Sequence, residues 1–237
     1  MSDFFQAVAD YSPYLWEGAR VTLALSGGGA VVALVVAVLL GLCAISPIAV
    51  LRVGSRVIVE FFRGTSLVVQ RFFLFYVFPL FGIDLPGMWC GIIGLGLNYG
   101  AYGSEVVRGS LNAVAKVQWE STTALSMSWP MAVRRVIWPQ AWGLMLPGLN
   151  NLMVMLVKGT AVALLIGLHD LTYWVEVMRK DPEVGLWIAY GVGFLLYYLV
   201  ALGCSSGLRL LERRAQRRLG LAPSKTRTTH ATAEAVA

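Results

Sequence analysis

Charge is what this sequence has least of. Only 14% of its 237 residues are Asp, Glu, Lys or Arg, against 57% hydrophobic, where a soluble domain carries about a quarter charged. The shortage excludes an ordinary water-soluble domain and points to one embedded in lipid. Histidine is almost missing: His169 and His230 are the only two, one in a turn and one in a polar tail. With no H-E-x-x-H run and no pair of intramembrane acids, a membrane-embedded enzyme has no machinery to work with. The three cysteines, Cys43, Cys90 and Cys204, stand far apart in or beside apolar runs. They form neither a metal-ligand spacing nor a disulfide framework, and read as small apolar residues. No G-x-x-x-x-G-K-[ST] run is present to cradle phosphates. The first twenty residues hold Asp3, Asp10 and Glu17 and no basic start, so no cleavable signal peptide is expected. Nor is there an internal repeat, which argues against an inverted-repeat transporter within one chain.

What the chain has is apolar runs. Five of them predict an all-α integral membrane fold of five transmembrane helices, at residues 21–45, 67–82, 89–107, 144–168 and 184–208. The second is short. Extending it back through residues 60–62 lets Arg71, which interrupts it, snorkel toward headgroups. Residues 1–20 mix acids with aromatics and read as an amphipathic piece at the interface. The basic residues set the orientation. Arg52, Arg56 and Arg63, then Arg108, Lys116, Arg134 and Arg135, then Arg209, Arg213, Arg214, Arg217, Arg218, Lys225 and Arg227 fall on one side. Only Arg20, Arg179 and Lys180 fall on the other. The N-terminus is therefore expected outside and the C-terminus inside. The expected organisation is a transmembrane domain over 1–219, with a cytoplasmic loop at 108–142, and a disordered cytoplasmic tail at 220–237. The tail's basic residues suit contact with anionic lipid, not nucleic acid.

Between the third and fourth runs lies a polar island, residues 118–139. It reads as a short helix over 118–127, a break at Ser128-Trp129-Pro130, and a second short helix stopped by Pro139. Two short helices at an angle make a knob that a partner's groove can enclose, with Trp119, Leu125 and Met127 as apolar anchors. The alternative is a loop wrapped against its own bundle.

Lys158 is the sharpest intramembrane residue, because a charge inside a span costs about 2.5–3.5 kcal/mol on insertion scales. Two readings are open: snorkelling to the outer interface, or facing a pathway where it attracts a carboxylate. Asn98, Tyr99 and Tyr102 share one helix, and with Asn150 and Asn151 are candidates to line such a pathway or to hydrogen-bond between helices. Glu105 and Arg108 at i,i+3 read as a helix-surface pair. Gly87-xxx-Gly91 and Gly96-xxx-Gly100 are packing signals.

The island resembles the EAA loop of ABC-importer permeases, in which a short coupling helix sits in a cleft of the ATPase subunit. That pattern appears here as Glu120-Ser121-Thr122, Ser126 and Val136-Ile137-Trp138-Pro139. The flanks GAYGSEVVRGSLNAVAKVQWE, VIWPQAWGLMLPGLNN, EFFRGTSLVVQRFF and LWEGARVTLALS are similar to the polar-amino-acid branch, in order, over residues 12–215. Ser121 and Thr122 stand where the family has alanines, Ser126 where it has glycine, and Trp138 where it has leucine. Serine takes positive φ less freely than glycine, so the turn at Ser126 is expected to differ. The resemblance implies that Gln118, Trp119, Glu120, Ser121, Thr122, Leu125 and Ser126 couple to an ATPase, and that Asn98, Tyr102, Asn151, Lys158 and Thr160 line the pathway. Lys158-Gly159-Thr160-Ala161 replaces the usual K-D-T-S and, with Asp170-Leu171-Thr172, is similar to ectoine and hydroxyectoine permeases. Implied partners are an ABC ATPase holding the ATP and Mg, a second permease chain (different or identical) and an extracytoplasmic binding protein. The chain itself is expected to bind no cofactor and no metal. The implied location is the bacterial inner membrane, and the competing reading is an ATP-independent scaffold or half-transporter.

Overall fold

The computed structural model describes residues 2–182 and 184–218, and the expected tail at 220–237 lies outside them. The described residues are helical, with no strand among them. The first helix, α1, runs unbroken over Ser2–Ala44, with Pro13 inside it. Residues 2–20 are thus the opening turns of the same helix as the first span. Pro13 lies about three turns past the start, and Ala9 O, which loses its N–H partner there, accepts from Ser12 Oγ at 2.9 Å instead.

The helices α2, Ala49–Gly64, and α3, Leu67–Phe81, are bent at 100° to one another. The expected single helix through residues 60–82 is therefore corrected. Thr65 and Ser66 are both extended, at φ −105° and −69°. The α2 carbonyls left open by the break are bonded by side chains, as described below.

The helix α4, Gly87–Asn112, is the most enclosed. It is followed by the short α5, Lys116–Ala124, then by the long α6, Trp129–Ile166. Two helices complete the chain: α7, Leu171–Arg179, and α8, Leu186–Arg218. The expected stop at Pro139 does not occur. Residues Val133–Ile137 form a π turn, and Trp138 N–H bonds back to Val133 O. The wider turn accommodates a residue with no N–H, so the helix passes through Pro139.

Among the described residues three helices are long and apolar enough to cross a membrane: Ala9–Ala44, Trp129–Ile166 and Leu186–Glu212; a fourth is gained if α2 and α3 count as one bent span. The expected third span, on α4, is not among them. With 26 residues it reaches about 39 Å, but glycine, serine, tyrosine and asparagine lower its hydropathy. It packs against α1, α2, α3 and α6, so protein takes the place of lipid over much of its surface.

Glycines set the α1–α4 contact. A Cβ on Gly100 would meet Val36 at 2.7 Å, one on Gly96 would collide with Val32, and one on Gly41 of α1 would meet Val107 at 2.7 Å. Backbones approach closely because side chains are missing where valines press in. Gly87 is different, with only ordinary contacts at 3.5 Å. A lower cluster of Ala37, Val107, Leu111, Val114, Ile137, Ala141 and Met145 joins α1, α4 and α6 just below the island.

Candidate coupling surface and intramembrane polar centre

The first half of the island forms one two-faced helix, α5, and its second half, from Trp129, opens α6. Its inner face is Gln118, Trp119 and Thr122. Thr122 is buried, Trp119 packs on the lower cluster, and Gln140 Nε2 donates to Gln118 Oε1 at 3.4 Å. Trp119 therefore anchors α5 to its own bundle, where it was expected to face a partner. The outer face is Val117, Glu120, Ser121, Thr123, Ala124 and Leu125. Val117 and Leu125 are 67% and 74% exposed, apolar groups that the bundle leaves uncovered. Val117 is the residue sequence reasoning missed; its spacing of one turn from Glu120 and Ser121 was the available signal. Lys116 Nζ lies 3.3 Å from Glu120 Oε1, both exposed.

The end of α5 is a Schellman cap. Met127 N–H donates to Thr122 O at 3.0 Å and Ser126 N–H to Thr123 O at 2.9 Å. Ser126 sits at φ +51°, the one non-glycine among the described residues with positive φ. The turn thus keeps the glycine conformation despite the serine, contrary to the expectation that it would differ.

Within the bundle the candidate pathway residues separate. Asn98 is buried; its Nδ2 donates to Phe62 O at 3.1 Å and Gln70 Oε1 at 3.3 Å. Gln70 Nε2 donates to Phe62 O at 2.9 Å and Thr65 Oγ1 at 2.7 Å. The pair holds the 100° bend by bonding carbonyls that the break leaves open. Tyr102 OH donates to Arg63 O at 3.4 Å, and the Arg63 guanidinium lies 5.3 Å over its ring. Thr160 is buried and donates to Val157 O at 2.7 Å, inside its own helix. Asn150 accepts from Ser205 Oγ at 3.1 Å, linking α6 to α8. Glu105 and Arg108 pair at 2.6 Å, as expected.

Asn151 and Lys158 are exposed, on a stripe of α6 with Leu144, Pro147 and Met155. These positions recur at three and four residues, which is one helix face. Asn98 and Tyr102 are thus turned to structural bonds, and Asn151 with Lys158 to an open face; the structure does not gather the five into one cluster.

Arg71 does not snorkel. It is fully buried, its Nη2 donates to Gly159 O at 3.1 Å, and its Nε and Nη1 have no partner. Gly94 gives it room, since a Cβ there would meet Arg71 Cγ at 2.8 Å. Tyr99 OH donates to Met155 O at 2.9 Å and lies against Gly159. At Gly159–Thr160 the α6 helix tightens into a 3-10 run over Thr160–Ile166.

Beyond that end, Asp170 is buried and starts α7, accepting from Tyr173 N–H at 3.0 Å and Tyr197 OH at 3.2 Å. Burial pushes its carboxyl above the usual carboxylate range, and those hydrogen bonds partly offset the push. Leu171 N–H donates to Thr22 Oγ1 at 3.1 Å, fixing α7 on α1.

The described residues form a helical membrane domain with a short exposed helix on one polar loop. The comparisons name the family. Residues 33–217 match the family described as binding-protein-dependent transport system inner membrane component, and the chain belongs to it. It is an inner-membrane protein. A probable amino-acid ABC transporter permease, y4tF, of Sinorhizobium fredii is 37% identical over 214 residues, 88% of this chain and 90% of that one. The L-cystine transport system permease protein TcyB of Bacillus subtilis is 32% identical over 211 residues, 86% and 88% of the two chains. A crystal structure described as an amino acid ABC transporter with histidines superposes at TM-score 0.78, with 29% identity, over 89% of this chain and 98% of that one. An inward-facing MetNI methionine transporter at 19% identity and TM-score 0.67 shares the fold, over 86% and 95%.

Proposed function

We propose that this chain is the permease subunit of an importer that takes a polar amino acid or a related zwitterionic solute, such as ectoine or hydroxyectoine, into the cytoplasm. A separate ATPase drives it and an extracytoplasmic binding protein delivers the solute. Five spans run from an outside N-terminus to an inside C-terminus, with α4 as the third, and α5 is the cytoplasmic coupling helix. The observation that carries this reading is the outer face of α5. Val117, Glu120, Ser121 and Leu125 project from a loop that Trp119 and Thr122 hold rigidly to the bundle. A groove on the ATPase closing on that face turns the loop into a lever on α4 and α6, and so alternates access to the solute. The relatives support the solute class, since their names refer to amino acids and cystine. The exposed stripe of Asn151 and Lys158 suits the seam against a second permease chain, where polar groups escape lipid.

Mass spectrometry of what co-purifies with the tagged full chain in mild detergent tests this. An ATPase with a second permease is the expected result, and an ATPase alone indicates a homodimer. A stable chain that always comes out alone overturns the reading.

A further inference from the structure

Arg71 is the most unusual group in the molecule. It is a fully buried guanidinium, and only one of its three nitrogens has a protein partner. It makes no ion pair with another described residue. Asp170, the acid whose field reaches it, is committed to Tyr173 N–H and Tyr197 OH. A purely structural role fits poorly. Capping the end of α6 at Gly159 O uses one donor, and leaves Nε and Nη1 buried with nothing to bond. A water answers one donor but leaves the charge without a counter-ion in contact with it in a low-dielectric interior.

We propose that Arg71 binds the carboxylate of the transported solute. The proposal rests on the importer reading above and assigns the interior residue that recognises the solute's acid group. The guanidinium presents two open donors to an anion at the place where α6 passes from an α to a 3-10 turn. Such a junction bonds less well than a regular helix and is a natural place for the bundle to part. Lys158, one residue before Gly159, is exposed and pairs with no acid among the described residues. The two cations give this end of α6 a positive character, and neither makes a contact ion pair among the described residues. Tyr99, against Gly159, supplies a ring beside the site. In the form described here the site is shut, since Arg71 has no exposure. Loading therefore requires α3 to separate from α6, which breaks the 3.1 Å bond to Gly159 O and frees Nη2 for the carboxylate as well.

The test measures thermal unfolding of the detergent-purified full chain, with whatever subunits accompany it. The probes are L-glutamine, L-arginine, L-methionine and ectoine, with the carboxamides of the three amino acids as controls. At least one amino acid should raise the wild-type unfolding temperature while its carboxamide does not. Arg71→Met should lose that shift while its own ligand-free unfolding temperature stays at or above wild type. Should Arg71→Met fail to fold, Arg71→Gln carries the same comparison. Equal shifts from acid and carboxamide, retention of the shift in the variant, or no shift in the wild type from any acid would each overturn the proposal. None of those results touches the importer reading, which the co-purification decides separately.

Discussion

Ser126 and Gly167 occupy the same position of the same cap. Each follows a helix, at φ +51° and +75°, and each lets the next residue donate back to a carbonyl five positions earlier: Met127 to Thr122 O and Leu168 to Ala163 O. Gly82 does the same between Phe78 and Ile83. Two of these three caps use the residue that enters the left-handed region without a Cβ clash; the coupling loop uses serine. Since the two flanking hydrogen bonds are intact, the loop geometry is held against a local preference.

Ser126→Gly should therefore stabilise the loop by about 1 kcal/mol, the left-handed penalty of a residue with a Cβ, less the added freedom of the unfolded chain. Ser126→Val should destabilise it, since a branched side chain tolerates this region worst. Protease nicking within residues 124–130 in detergent checks both: slower than wild type for glycine, faster for valine. Equal rates for all three would show that the loop does not feel the torsion.

The bend between α2 and α3 depends on Asn98. Asn98→Leu leaves the Phe62 carbonyl with only Gln70 as partner, and should cost about 1–3 kcal/mol. Gln70→Leu should cost a similar amount, and the double variant more than the sum, because each single change leaves one donor on the Phe62 carbonyl and only the double leaves it bare. Unfolding midpoints of the four proteins measure the coupling, and strict additivity would show that the two residues act apart.

The legible part of this fold was the part written in period and composition. The α6 and α8 spans, the close α1–α4 contact at Gly96 and Gly100, the Glu105–Arg108 pair and the short helix of the island all appear where the residue pattern puts them. What stayed hidden depended on long-range bonds. Asn98 looks like a pathway residue until Phe62, 36 positions away, is seen to accept from it. Arg71 looks like a snorkelling charge until α6 closes over it. Pro139 looks like a stop because sequence rules describe α turns, and a π turn escapes them. Trp119 was expected to anchor a partner and packs on its own bundle instead, because hydrophobicity alone does not say which way an apolar side chain points.

Glycine spacing makes a sharper claim about α4. Gly100→Val places a branched side chain where a single Cβ already meets Val36 at 2.7 Å. Overpacking of this kind costs about 1–3 kcal/mol. Val36→Gly in the same chain should recover a good part of that, since it removes the colliding group. Gly109→Ala, on the same helix with nothing within 4 Å, should leave stability no lower and raise it by up to about 1 kcal/mol. Thermal unfolding in detergent gives the three values, and a Gly109 variant as unstable as the Gly100 variant would remove the packing argument.

Coupling is best tested where stability is least engaged. Glu120 is exposed and pairs only with Lys116, at 3.3 Å, one turn back. Such a pair contributes about 0.2–0.5 kcal/mol, so its loss leaves the fold alone. Glu120→Arg puts a like charge beside Lys116 and reverses the sign at the centre of the face that Val117 and Leu125 frame. Membrane insertion and unfolding temperature should match wild type, while ATP-driven uptake and co-purification of the ATPase fall together by tenfold or more, the effect of about 1.4 kcal/mol lost at a contact. Lys116→Glu combined with Glu120→Arg restores the helix-surface pair but not the outward charge. If coupling is made through the outer face, the double variant remains uncoupled. If uptake returns in it, the pair matters only for holding α5 in shape, and the partner grips the loop elsewhere.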